Sequence, residues 1–161
     1  MTVPATGPMG QTRGVDGEFF EQVCDVVRGA VPRDLGEPRI KVRHNGIKVW
    51  FGEAAREHYE AQLIRPDGVP GARVFALEVG FHAEYAKAEE NDAVLARLRG
   101  HERAWRAELG DEPVAGDFLG HRLWRRVSET WPDPEDSGPD LAFEVGVRLV
   151  DYIRVIEPLR S

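Results

Sequence analysis

Apolar and polar positions along this chain recur with two periods, and the clearest is the period of two between Arg73 and Glu84. There Phe75, Leu77, Val79 and Phe81 alternate with Ala76, Glu78, Gly80 and His82. Such alternation sends successive side chains to opposite faces of a β-strand. One face is wholly apolar and has to be covered; the other carries Glu78 and His82, with Glu84 just beyond. Arg39 to Phe51 reads as a hairpin, with Ile40 and Val42 set against Lys41 and Arg43, then Asn45-Gly46, then Ile47, Val49 and Phe51 against Lys48 and Trp50. Asn-Gly between alternating runs predicts a type I′ turn, because both residues tolerate positive φ. A further strand is expected from about His58 to Ile64, where Tyr59, Ala61 and Leu63 alternate with His58, Glu60 and Gln62. Glu53 to Glu57 reads as either a short helical turn or a loop, and Pro66 to Gly71 supplies a turn.

The second period is helical. Asp16 is placed to cap a helix reaching Gly29 or Ala30, with Phe19, Phe20, Val23, Val26, Val27 and Ala30 facing inward and Pro32 marking its end. Asn91 or Asp92 caps a predicted helix to Leu109, with Leu95, Leu98, Trp105 and Leu109 on one stripe and Gly110 as its C-terminal cap. Val114 to Leu119 and Leu123 to Trp131 are expected strands on either side of Gly120-His121, the second leaving a helix open. Trp131 to Asp140 is an acidic, proline-rich loop. The last helix starts at Asp140, or at Ser137, and Pro158 stops it. Its opening alternation (Leu141, Phe143, Val145, Val147, Leu149) mimics a strand, but the run to Glu157 is too long for one. Ala142, Val145, Leu149, Tyr152, Ile153 and Ile156 instead make a wide helical face. The expected class is α+β, an antiparallel sheet with helices packed on one face in the order α-β-β-β-β-α-β-β-α. Residues 1–15, rich in Pro, Gly and small polar residues, read as a disordered tail, and 16–161 as a single domain.

Composition narrows the partners. The chain has 161 residues with 21 basic and 28 acidic side chains, a formal charge of −7, which disfavours broad binding to nucleic acid or anionic membrane. Its single cysteine, Cys24, permits no intramolecular disulfide and leaves a cysteine-based zinc site without ligands. No stretch approaches the roughly 18 apolar residues of a membrane span, and the N-terminus has no secretory apolar core, so a cytoplasmic protein is expected.

From about Phe75 to Leu159 the chain runs strand, Asn-Asp-led helix, HERAWRAELGDEP, tryptophan-rich strand, acidic loop and a helix ending VIEPL, with Glu108-Leu109-Gly110 and Glu157-Pro158 as markers. This stretch resembles an uncharacterised bacterial domain family that occurs alone or at the C-terminus of proteins carrying restriction-nuclease-like segments. The element order is also similar to the type III secretion chaperone-like fold, a small dimerising, partner-binding scaffold. The resemblance implies a fold order and brings no catalytic residues with it.

Candidate chemistry lies on the polar sheet face. His58, Glu60, Glu78, His82 and Glu84 are the metal or acid–base candidates, although strand residues four apart lie about 13 Å apart, so Glu78 and His82 are expected to be too far apart to share one metal, and a ligand pair would have to be cross-strand, such as His58 with Glu78 or Glu60. The expectation is a solvated face carrying Lys41, Arg43, Lys48, Trp50, His58, Glu60, Gln62, Glu78 and His82. A two-metal nuclease would need Glu-x-Lys, and Glu78 is followed by Val79-Gly80; no nucleophile elbow surrounds Ser128, Ser137 or Ser161, and no phosphate-binding glycine loop is present. Trp50, Lys48, Arg43, Trp124 and Arg126 combine rings and cations suited to a contact surface. The leading expectation is a non-catalytic binding module without cofactor or metal, contacting a protein partner or a second copy as a homodimer. The alternative is an enzyme or nuclease-accessory domain using the outer-face histidines and glutamates.

Overall fold

The computed structural model describes residues 18–65, 75–132, 134 and 138–160. The expected tail, the Asp16 cap, the Pro66 to Gly71 turn and Ser137 lie outside them. The elements are α1 (Phe19–Ala30), β1 (Arg39–Arg43), β2 (Gly46–Trp50), β3 (Glu57–Ile64), β4 (Ala76–Ala83), α2 (Ala88–Arg99), α3 (Glu102–Leu109), β5 (Val114–Asp117), β6 (Arg125–Trp131) and α4 (Leu141–Ile156), with 3-10 turns at Arg33–Leu35 and Glu157–Leu159. The strands form one six-stranded sheet in the order β1-β2-β3-β4-β6-β5, and every neighbouring pair is antiparallel. This is the α+β architecture that the alternation predicts. The chain meanders through β1 to β4, crosses by α2 and α3 to the far edge, and returns through β6 to pair with β4.

The inner face carries Ile47, Val49, Tyr59, Ala61, Leu77, Val79, Phe81 and Val127, all essentially buried. Against them pack Phe19, Phe20, Val23 and Val27 of α1, Leu98 of α2, Trp105 of α3, and Val145, Leu149, Ile153 and Ile156 of α4. Each large apolar side chain withdrawn from water contributes about 1.5–3 kcal/mol, so this layer dominates the stability. Phe75 does not join it: it precedes β4 and is 51% exposed, which shortens the expected spine to Leu77, Val79 and Phe81. Ala30, predicted inward, is exposed as well.

Two boundaries differ from expectation for local reasons, and one ambiguity is resolved. The hairpin forms, but Arg43 pairs with Gly46, so His44-Asn45 is the loop and Asn45 has no positive φ; the turn is not type I′. Gly46 serves β3 instead, since a Cβ there would lie 3.0 Å from Gln62 Cβ. The central helix starts earlier, at Ala88, and breaks at Gly100-His101 into two, with the Leu98 carbonyl accepting from the His101 backbone N–H at 3.0 Å and from the Trp105 indole N–H at 2.8 Å. Residues 52–56 form no helix, which resolves the ambiguity before β3 in favour of a loop. Among the described residues no helix is long and apolar enough to cross a membrane.

Candidate metal centre

The outer sheet face was expected to be wet, and at its centre it is not. His58, Glu78, His82 and Ser128 have no exposed surface, and Glu60 and Arg126 keep 4% and 9%. Buried charges persist only when paired or coordinated. Here the pairing is built from two His-x-Glu steps, His58 and Glu60 on β3 and His82 and Glu84 at the end of β4 and just beyond it. Register sets His58 opposite His82 and Glu60 opposite Gly80. The Glu84 backbone N–H donates to Arg56 O at 2.8 Å, which carries the ladder one step past β4. Because the strands are antiparallel, the two glutamates reach the histidine pair from opposite ends.

The result is a closed ring of alternating nitrogen and oxygen. Glu60 Oε1 lies 3.0 Å from His58 Nε2 and 3.3 Å from His82 Nδ1; Glu84 Oε2 lies 3.0 Å from His82 Nδ1 and 3.7 Å from His58 Nε2. One donor atom from each of the four residues lies within 4.8 Å of the other three. Ligands bound tetrahedrally at about 2.0 Å stand about 3.3 Å apart, which these four edges bracket. The nitrogen–nitrogen and oxygen–oxygen pairs lie within 4.8 Å, so donors farther apart than about 3.3 Å must draw in to share one ion.

The atoms facing away from the ring are held. His58 Nδ1–H donates to Ala55 O at 2.7 Å, which leaves Nε2 as its inward nitrogen. His82 Nε2–H donates to Glu78 Oε2 at 2.6 Å, leaving Nδ1 inward, and Gln62 Nε2 donates to Glu78 Oε1 at 3.0 Å. Glu60 Oε2 accepts from Arg43 at 2.8 Å. A ligating histidine commonly donates its other N–H to a carboxylate or carbonyl, which fixes its tautomer and orientation. Both histidines do so.

The Glu78–His82 contact corrects the expectation that strand residues four apart stay separate. The backbone distance is large, but both side chains lean along the strand over Gly80, which has none. Gly80 is required for a second reason: at φ 153° a Cβ would lie 2.5 Å from the Cα of Ser128 on β6. The ring of Phe118, from the turn after β5, closes on His82 with 4.7 Å between centroids.

Electrostatics bind the ring tightly. Burial alone would push the His82 imidazolium down, but the Glu78 charge and hydrogen bonds to Glu60, Glu78 and Glu84 outweigh it and raise its pKa well above the usual value. Burial likewise pushes the Glu60 carboxyl up, and hydrogen bonds from His58 and His82 reverse this, holding it well below the carboxylate range. Glu84 is lowered in the same way, burial opposing and the His82 hydrogen bond prevailing. The imidazole nitrogens and carboxylate oxygens that face one another across the ring are donor types that one divalent cation would bridge.

The contact candidates are placed differently. Arg43 reaches Glu60, and Arg126 is turned into the fold, donating to Asp117 O, Ser128 O and Ser128 Oγ. Trp124 is half-buried and stacks on His121 at 4.1 Å, and Lys48 is half-buried in register with Glu60. Trp50 is partly covered, and its indole nitrogen is buried with no hydrogen-bond partner in the structure. Ala55 O and Phe118 carried no sequence signal: one acts through its backbone, the other through a turn. Comparison of the chain with protein-family models, with curated proteins and with solved structures finds no match.

Proposed function

We propose that this chain is a metal-binding domain whose His58, Glu60, His82 and Glu84 hold a divalent transition-metal ion. The observation that carries the reading is the N–O–N–O ring together with the anchoring of both outward histidine nitrogens. Two imidazoles with two carboxylates and no thiolate suit zinc, iron, manganese, cobalt or nickel(II) better than copper(I), and the imidazoles argue against calcium or magnesium. Two carboxylates balance the charge of a dication, which lowers the cost of burying it. This is the outer-face histidine and glutamate reading, with a metal in place of bare acid–base groups. The interaction-module reading has less support, because Arg43 and Arg126 are engaged within the fold.

The test is a thermal-shift screen of chelator-stripped protein against these dications, followed by calorimetric titration. An ion at about 100 times its Kd should add about 2.7 kcal/mol to stability. His82→Ala should abolish both signals while Lys48→Ala leaves them intact. Absence of any saturable binding to the stripped, folded protein would sink the proposal.

A further inference from the structure

We infer that Glu84 is the exchangeable ligand of this centre, and that the coordination position it vacates takes a monoanionic oxygen donor of the carboxylate class. The inference rests on the metal reading above. It comes from an asymmetry among the four ligands. His58 is pinned by Ala55 O, His82 by Glu78, and Glu60 by Arg43. Among the described residues, the hydrogen bond and ion pairs of the Glu84 side chain all run through Oε2 to the two histidines, and Oε1 has no anchor outside the ring. Glu84 also stands beyond the last residue of β4, and its side chain is 15% exposed against 0%, 5% and 0% for His58, Glu60 and His82. It is therefore the least held ligand and the nearest to water.

Charge selects the incoming group. When Glu84 swings out, its carboxylate regains water and the metal with Glu60 keeps one positive charge in excess, the Glu78 charge being opposed by that of Arg126. A monoanion cancels that excess, whereas a neutral donor leaves a buried net charge, which is costly. An oxygen donor of the same kind also meets the same hard coordination preference.

The experiment uses the full chain loaded with Co²⁺, whose visible bands report its coordination. Acetate should shift the spectrum saturably, and acetamide, its neutral counterpart, should not at equal concentration. Glu84→Ala should bind Co²⁺ more weakly than the unsubstituted protein and regain affinity by about tenfold or more in saturating acetate but not in acetamide, while Glu60→Ala should lose Co²⁺ binding by more than the roughly 10–100-fold typical when only an outer partner of a ligand is removed. Bound Co²⁺ whose spectrum ignores acetate in both the unsubstituted protein and Glu84→Ala overturns the inference and leaves the metal reading standing. So does a response to acetamide equal to that to acetate. Failure of the unsubstituted protein to bind Co²⁺ or any other dication removes the metal reading itself. The titration of the unsubstituted protein needs no variant to fold.

Discussion

Glu78 is the residue on which the orientation of His82 turns. Fully buried and 2.6 Å from His82 Nε2, it leaves only Nδ1 to face the ring, which makes it a positioning residue rather than a ligand. Glu78→Gln keeps the shape and a hydrogen-bond acceptor but removes the charge that makes the imidazole a better donor to metal. Co²⁺ affinity should fall about 10–100-fold, with altered visible bands, while the fold is retained. An unchanged spectrum and affinity would reduce Glu78 to packing. At this scale the sequence was half legible. His58, Glu60, Glu78, His82 and Glu84 stood out as residue types capable of chemistry, and period two assigned His58, Glu60, Glu78 and His82 to one face. Rise per residue measures backbones only, so it missed two long side chains meeting across a glycine.

Elements were legible where a short-range pattern fixes them. α4 runs over the expected face, and β3 and β6 begin within two residues of their predicted starts. Tertiary contact decided the rest. The stripe Leu95, Leu98, Trp105, Leu109 is continuous in sequence, and nothing in its period announces the break at Gly100-His101, across which the Trp105 indole N–H donates to the Leu98 carbonyl. The α1–α4 contact is another case, because Gly146 on α4 lies where a Cβ would come within 2.6 Å of Val26 Cβ on α1. Gly146→Ala gains about 1 kcal/mol of helix propensity and incurs about 1–3 kcal/mol of overpacking. Net destabilisation of about 1 kcal/mol is expected in denaturant unfolding. Val26→Ala in the same chain should relieve it, giving a favourable coupling in a double-mutant cycle. Additive effects would mean that the helices separate without strain.

For the whole molecule, the ring makes stability depend on pH in a metal-free sample. His82 is faced by Glu78 on its own strand, by Glu60 and His58 from β3 and by Glu84, while the Arg126 charge from β6 acts on Glu78. Its folded pKa is raised, so its contribution is complete below the unfolded value of about 6.5 and is lost as pH rises through the folded one. Glu60 and Glu84 are lowered, so theirs is present above about 4.3 and lost as pH falls through their folded values. The Tm in chelator should therefore be highest at weakly acidic pH and decline as pH rises through the folded His82 value, and saturating zinc should flatten the alkaline decline, since the ion then carries the charge. Parallel curves with and without zinc would count against the centre. The sequence by itself determined the strands and helices and which face of the sheet is apolar, because periodicity is a property of neighbours along the chain. Only the tertiary structure decided that the centre of the polar face is buried, that β3 and β4 set His58 opposite His82, and that four donors converge. Register and side-chain reach between strands are set by packing, with Gly80 and Ser128 allowing the close approach, and no local pattern encodes them.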